Sequence, residues 1–581
     1  MMSLIEKPSA VLIGTGSEWL LILAYAGQEY LLGEQEREVL IDNNLFHIHG
    51  CLPQIEFTEG IRLPGDTSTT NSLSLSLVLP LDVSAFAMSI PLSTARASLC
   101  RWVPMQDWTQ RRVVLEGRIR DPEYGEEGEP ISFTLEELPW QNSVRLPART
   151  QKVDGSTWPN SITTLQEQNA GAVYPLVFGR PGARSDGSQA SATPARWVWH
   201  APEIPTTYSE YIGLVLVIAG HAVSAARVYL HCDAYSPGFR VPVFVGTDGR
   251  GQTVSFVPWY ASKSGTNEDY DFDIGGTYSA SISDFDGSTT YGLGFRGTLP
   301  DGQSVSALTS NSTQPQFWVT WYDEESASQG GMMQGDTLIR EAVDVLGWLL
   351  ARTGMPVDHG SLAVASHYLK GWKLDFSIYS DCDLWEFVQA HLLPILPLAV
   401  TSGSQGWTVA VWRWEASRYE AVIHLEEGPE VERISSVSED ASNIRNRFRL
   451  QFSKSNRVGK YMEEVELSGD PYDGDDPDHE PSQVCRISRD IYGDTEEEVL
   501  QSDIVYDRST ARNILRHKAL TYALPRKRVR YQVVERLASG LRSGAVITLT
   551  DARLHWNKMV WLVEDLIFKS GVMEIGLIRA V

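Results

Sequence analysis

The sequence predicts a mainly β, multidomain protein in which tube-like β-barrels are joined to a smaller α+β module. Three observations carry this expectation. Residues 446–452 alternate strictly, with Phe448, Leu450 and Phe452 on one side and Arg447, Arg449 and Gln451 on the other; a period of two marks a strand with one buried face. Residues 528–533 repeat the pattern, Val529, Tyr531 and Val533 against Arg528, Arg530 and Gln532. Residues 338–352 change register altogether: Leu338, Ile339, Ala342, Val343, Val345, Leu346, Leu349 and Leu350 form a wide stripe at helical spacing.

Taken in order, residues 1–150 predict an N-terminal tube-like β-barrel. Residues 71–79 set Leu73, Leu75, Leu77 and Leu79 against Ser72, Ser74, Ser76 and Val78 after the loop Pro64-Gly65-Asp66-Thr67. Strands follow at 112–119 and 131–135, joined by a Gly/Glu-rich turn. Residues 151–333 predict a loop-rich all-β module, with strands at 211–218, 226–231, 241–245 and 317–321 among Gly-, Ser-, Asp- and Thr-rich loops at 182–193 and 262–276. Residues 334–430 predict an α+β module with two helices. The first is the stripe above, closed by Gly354; the second starts at Asp383, where Asp383 and Glu386 have capping-box spacing, and stops before Pro394. Strands are expected at 374–379 and 407–414.

Residues 431–581 predict a C-terminal β-barrel with one helix. Ala511, Ile514, Leu515 and Ala519 supply the helical spacing, Ser509 or Thr510 the N-cap, and Pro525 the stop. A meander closes the chain: 545–550, then 559–568 and 572–578 about a turn at Ser570-Gly571.

Composition narrows the function classes. At 581 residues the chain exceeds one core, and roughly three to five domains are expected. With 42% hydrophobic and 21% charged residues it reads as soluble and globular. A net charge of −25 argues against sequence-specific nucleic-acid binding or an anionic-membrane surface, both of which need a basic footprint. The densest basic spots, 526–530 and Arg111-Arg112, are short, and the first reads as the solvated face of a strand. Five cysteines (Cys51, Cys100, Cys232, Cys382, Cys485) stand far apart without a CxxC, which argues against a disulfide framework and for cytoplasmic synthesis. The run at 19–26 has neither the leader nor the cleavage site of a signal peptide. The longest apolar runs fall short of the ~20 residues that span a bilayer.

The search for chemistry assigns no catalytic, cofactor-binding or metal residue. His47, His49 and Cys51 share a strand face, as a His/His/Cys zinc site requires; the competing reading turns Phe46 and Ile48 to the core and both histidines to water. Asp269, Asp271 and Asp273 alternate as calcium ligands would, but Ile274 stands where the EF-hand turn needs Gly. The acidic loop from Asp470 to Asp478 reads the same way: a non-EF calcium loop, or a solvated turn. Gly14-Thr15-Gly16 opens like a dinucleotide fingerprint and fails at the third Gly; Gly459-Lys460 is followed by Tyr461 and lacks the upstream Gly of a phosphate loop. His231-Cys232-Asp233 are strand neighbours facing opposite ways. Glu426-Glu427 could serve a glycosidase only at a separation that sequence spacing does not set.

Several phrases, in order, carry a resemblance. Gly117-x-x-x-Asp121-Pro122-x-Tyr124-Gly125 is followed by Val173-Tyr174-Pro175-Leu176-Val177-Phe178-Gly179-Arg180-Pro181-Gly182, then by Val217-Ile218-Ala219-Gly220-His221-Ala222-Val223. Near the end come Ser488-Arg489-Asp490-Ile491-Tyr492-Gly493, an acidic stretch, the helix, a compressed Gly540-Leu541-Arg542-Ser543-Gly544 and the closing meander. In this order the chain resembles the baseplate hub, or tail-tip, proteins of long-tailed bacteriophages. The resemblance implies a structural virion protein, assembled in the host cytoplasm, that closes the tail tube and opens for genome ejection. It implies a homotrimer whose subunits each give two related barrels, making a pseudo-sixfold ring; the terminal domain is the favoured second barrel. Its implied partners are the distal tail protein or tail tube, the tape-measure protein and fibre or tip proteins, with no cofactor. The alternatives are a tail-associated cell-wall or polysaccharide hydrolase and a carbohydrate-binding adsorption protein, for which Trp197, Trp199 and Trp259 near the 269–273 aspartates are the relevant residues.

Overall fold

The structure, a computed structural model, describes most of residues 17–147, residues 173–181 apart from 174, and most of 331–580; between 193 and 320 it describes chiefly the backbone of the strands. The chain is mainly β; among the described residues its longer helices lie in the second half, and the first half has a short 3-10 helix at Leu92–Thr94.

The N-terminal sheet has eight strands in the order Arg37–Ile41, Asn44–Gly50, Gln28–Gly33, Glu18–Tyr25, Arg96–Trp102, Arg112–Glu123, Ile131–Glu137, Ser72–Leu77. Glu18–Tyr25 is central and buried on both faces. Trp19, Leu21 and Leu23 enter the main core, while Leu20 and Ile22 join Leu31, Ile41, Ile48, Cys100 and Trp102 in a second, smaller cluster. That explains the unbroken apolar run of residues 19–23: a strand covered twice has no polar face to show. Ser72–Leu77 is covered once, and its serines meet Ser132 and Thr134 across the register Ser76↔Ser132 and Ser74↔Thr134.

Between 193 and 320, an antiparallel eight-stranded sheet runs Phe239–Val241, Arg227–His231, Gln316–Thr320, Thr193–His200, Ser209–Val217, Thr253–Ser262, Phe244–Thr247, with Ile204–Thr206 beside Ser209–Val217.

The α+β part is built on helix α1 (Ala342–Ala351), which buries Ala342, Val343, Val345, Leu346, Leu349 and Leu350. Helix α2 (His359–Tyr368) follows, capped by Asp358, whose carboxylate accepts the Gly360 N–H at 3.0 Å. Asp383 caps the next helix, α3 (Leu384–Phe387), accepting from the N–H groups of Trp385 and Glu386. This helix widens at once into a π turn over Val388–Leu392.

The segment expected to form one terminal unit contributes to two cores. Residues 447–523 join the α+β part: Arg447–Ser455, Lys460–Ser468, His479–Pro481 and Glu498–Gln501 make a four-stranded sheet whose Phe448, Leu450, Phe452, Val465 and Leu467 pack with α1 and with helix α5 (Arg508–Tyr522). The polar face pairs across the strands, Arg449 with Glu466 at 3.2 Å by charge and Gln451 donating its amide N–H to Glu464 at 2.9 Å. A helix the sequence reading did not expect, α4 (Gln483–Tyr492), lies between two of these strands in the chain. The N-cap of α5 is Asp507, which accepts the Thr510 N–H at 2.8 Å, rather than Ser509 or Thr510.

The remaining terminal residues form the C-terminal sheet: Ile423–Glu426, Val546–Asp551, Trp556–Phe568, Val572–Arg579, Lys527–Val534, Val431–Arg433, with Ser438–Glu439 beside Lys527–Val534. The basic spot at 526–530 is ion-paired here. Arg528 meets Glu564 at 3.1 Å, and Arg530 grips Asp565 with two bonds of 2.6 and 2.9 Å. The second pair spans an intervening strand, and Gly576 stands between them in register with both. A Cβ there would lie 2.4 Å from the Asp565 carboxylate, so the glycine leaves the space the carboxylate uses.

Candidate functional site

The feature that organises the molecule is the junction of the two ends of the chain. Phe57–Gly60 leaves the N-terminal sheet and adds to the C-terminal one, antiparallel to Trp556–Phe568 in the register Phe57↔Phe568 to Gly60↔Asp565. One apolar core then holds Trp19, Leu21, Leu75, Leu99, Leu115 and Phe133 from the first sheet together with Tyr531, Val533, Leu549, Trp561 and Ile575 from the second. Burial on this scale is what makes two sheets one rigid unit.

A buried polar cluster pins the junction. Arg101 Nη2 donates to Glu535 Oε2 at 2.6 Å, to Ser17 Oγ at 2.5 Å and to Lys569 O at 3.0 Å, while its Nε reaches Glu535 Oε1 at 3.3 Å. Ser17 Oγ also donates to Glu535. The guanidinium lies 4.6 Å over the Trp19 ring, whose Nε1 donates to Ile55 O at 2.7 Å. Nearby, Arg112 bonds Glu59 at 3.0 Å and covers the Phe568 ring at 4.7 Å.

A second feature lies beside the π turn. A cavity of about 230 Å³ is lined by Phe376, Tyr379, Cys382, His391, Asp503 and Tyr506 among others. Its polar groups are turned on one another: Asp503 accepts from Tyr461 Oη and Lys454 Nζ, both at 2.6 Å, and Tyr506 donates to Lys454 O at 2.6 Å. Burial pulls His391 below its ordinary value, against the attraction of Asp503. Burial pushes the Cys382 thiol up to about 11, and it donates to Leu146 O. A thiol held protonated is a poor nucleophile. Cys51 and Cys485 are likewise pushed to about 11, and Cys100 to about 12.

The sequence-predicted sites scatter. His47 is exposed, stacks edge-on against His49 at 4.6 Å and lies 3.5 Å from Glu36, while Ile48 is buried on the other face. Among the described residues no group of three His, Cys, Asp or Glu side chains is placed to hold a metal ion. Asp470 accepts from Arg489, and Asp478 from Arg508; residues 472–477 lie outside the described residues. So do Asp269 and Asp273, Cys232 and Asp233, Gly14–Gly16, Gly459 and the Pro64–Thr67 loop. Trp197 and Trp259 sit on strands that both pair with Ser209–Val217, at Leu216 and Ile212. Glu426 ends a strand, and Glu427, in the turn after it, pairs with Arg553 at 3.2 Å. Among the described residues no helix is long and apolar enough to cross a membrane.

The phrase around Gly179 has a clear structural use. Leu176–Phe178 pairs with Phe376–Ile378, and Val177 N–H donates to His221 Nε2 at 3.0 Å. Gly179, at φ +61°, backs onto the fully buried Asp375, which accepts the Arg180 N–H at 2.7 Å and two bonds from Arg340 at 2.6 and 2.8 Å.

No protein-family model matches this sequence, and no curated protein does. Solved structures do. One is a tail protein from Neisseria meningitidis MC58, 8% identical, with 97% of this chain and 96% of that chain covered at a TM-score of 0.36. Another is a topological model of the p2 virion baseplate in its activated conformation, 7% identical, with 70% of this chain and 98% of that one covered at a TM-score of 0.16.

Proposed function

We propose that this chain is a structural protein of a bacteriophage tail tip, the baseplate hub, and not an enzyme. The observation that carries the reading is the shared core of the N- and C-terminal sheets. Each sheet has eight strands, and they are fused through Phe57–Gly60 and the Arg101–Glu535 cluster into one body. A subunit that presents two sheet units side by side is the form from which a three-subunit ring could meet a six-subunit tube. The order of sequence phrases that resemble hub proteins supports the same reading.

On this reading the paired sheets form the ring that meets the distal tail protein or tail tube. The α+β part and the 193–320 sheet lie away from that contact, where they narrow the lumen, hold the tape-measure end and anchor fibres until the genome leaves. The particle is assembled in the host cytoplasm, and the protein stays at the tail tip of the virion. The polar groups around the π turn bond each other and the cavity thiol is held protonated, which supports a mechanical rather than a chemical task.

Light scattering on a sizing column at several concentrations tests the proposal. A particle near three times the 64.7 kDa subunit is expected. A monomer at every concentration, and also in the presence of the neighbouring tail proteins, would overturn it.

A further inference from the structure

The two outermost long-path strands of the C-terminal sheet, Ile423–Glu426 and Val431–Arg433, are consecutive in the chain, joined only by the turn 427–430. The sheet therefore curls until its edges meet at that turn. They do not zip together. Gly428 N–H donates to Val431 O at 2.9 Å and Val431 N–H to Gly428 O at 3.2 Å, and beyond this bridge the two strands diverge to opposite ends of the sheet. Among the described residues, Ile423–Glu426 pairs only with Val546–Asp551, in parallel, and Val431–Arg433 only with Lys527–Val534.

The unclosed seam is a groove of about 500 Å³, lined by residues 423–431 and Leu537. Leu425 and Val431 are buried beneath it, which makes its floor apolar. Its wall is a strand edge. Glu427 gives its N–H to Thr550 O in the register Glu426↔Thr550; in a parallel ladder the alternate residues face the other way, which turns the backbone N–H and C=O groups of residues 424 and 426 into the groove. A row of open N–H and C=O groups is a template for one more strand.

The rim is acidic. Glu426 is exposed, Glu427 pairs with Arg553 at 3.2 Å and Glu430 pairs with Arg536. Both arginines lie largely in solvent, at 73% and 69% side-chain exposure, so their hold on the carboxylates is weak.

We propose that this groove docks an extended, basic segment of another protein. The segment adds as a strand beside Ile423–Glu426, sets alternate apolar side chains over Leu425, Val431 and Leu537, and aims lysines or arginines at Glu426, Glu427 and Glu430. This docking goes beyond the hub reading and does not depend on it.

The test uses the full chain and a fluorescein-labelled hexapeptide, acetyl-Val-Lys-Val-Lys-Val-Lys-amide, followed by polarisation. The peptide is expected to bind. Glu426→Lys, an exposed substitution that leaves the core intact, is expected to weaken it roughly tenfold and to flatten its salt dependence, as a rim charge does. The acidic counterpart, acetyl-Val-Glu-Val-Glu-Val-Glu-amide, is expected to prefer the Glu426→Lys chain. N-methylating alternate amides should abolish binding in one register and spare it in the other, which simple charge attraction would not do. No binding by the basic peptide, equal binding to Glu426→Lys, or indifference to both methylation registers would each overturn the proposal. So would a fall in the mass of the protein on adding peptide, because the groove would then belong to a second copy of this chain.

Discussion

Arg101 and Glu535 stand 434 residues apart in the chain and meet in a buried ion pair of 2.6 Å, with Arg101 only 2% exposed. A charge in such a place is tolerated because its Nε and Nη2 are answered by the carboxylate, Ser17 and the Lys569 carbonyl and its face lies on Trp19, although Nη1 is buried without a hydrogen-bond partner. Removing one partner leaves the other buried and uncompensated, a loss of about 3–5 kcal/mol. Arg101→Met is therefore expected to loosen the junction by that amount, whereas Arg101→Met with Glu535→Leu should recover most of it. Amide exchange in Arg96–Trp102 measures the effect, since a loss of this size speeds local opening roughly a hundredfold or more. Unchanged exchange in the single variant would show that the pair does not hold the two sheets together.

Gly179 and Gly335 have almost the same backbone, φ +61° and +60°, in opposite surroundings. A Cβ at Gly335 would meet nothing within 4 Å, while one at Gly179 would fall 2.2 Å from Asp375 Oδ1 and 2.5 Å from the Leu374 carbonyl. Gly335→Ala should cost only the left-handed backbone penalty, about 1–2 kcal/mol. Gly179→Ala adds displacement of a buried carboxylate that holds Arg340 and the Arg180 amide, and should cost about 3 kcal/mol or more. Thermal unfolding of the two variants side by side separates the terms; equal losses would mean that the strap at 176–180 yields.

What could be read in the sequence follows from how each element is buried. Strands with one covered face, such as Ser72–Leu77 and Lys527–Val534, announce themselves by alternation because the solvent side must be polar. Helix α1 does so through six buried positions, but α2 fully buries only Ala365 and shows almost no apolar stripe. Its one local signal is Asp358 ahead of it. The junction of the two chain ends could not be read at all: Phe57 and Phe568 become partners through the closure of the whole fold, and no local pattern encodes a pairing at that separation. The same holds for residues 447–523, whose strands look like those of the C-terminal sheet but pack on α1. Of the candidate sites, the outward turn of His47 and inward turn of Ile48 were legible from period two; the π turn that places His391 beside Asp503 was not.

The N-cap of α5 shows how local chemistry decides between neighbours. Asp507, Ser509 and Thr510 are all capable, yet only Asp507 has extended backbone one residue before the helix, and its carboxylate accepts both the Thr510 N–H and the Thr510 hydroxyl. Asp507→Ala should cost about 1–2 kcal/mol and Ser509→Ala about 0.5 kcal/mol or less. Asp507 also lies 3.6 Å from Lys373, a contribution small at that exposure. Urea midpoints of the two variants check the ranking; a larger loss for Ser509→Ala would move the cap.

His517 links stability to pH. It sits on the buried side of α5, its Nε2–H donating to Trp412 O at 3.1 Å, and Thr521, on the next turn, accepts from Trp414 Nε1 at 2.8 Å. Burial pulls the imidazole from its ordinary 6.5 down to about 4, aided by the nearby charges of Lys518 and Arg526. Between these values the unfolded chain takes a proton and the folded chain does not. Stability is thus complete above pH 6.5 and falls as the pH drops toward 4, by about 3 kcal/mol at 1.36 kcal/mol per pH unit. His517→Gln keeps a donor for the Trp412 carbonyl and cannot titrate. Its urea midpoint should be lower than that of the parent at pH 7 but should hold steadier from pH 6.5 to 4, so that the gap between the two proteins narrows with acid. Parallel curves across that range would mean that His517 is already protonated in the folded protein or remains solvated within it.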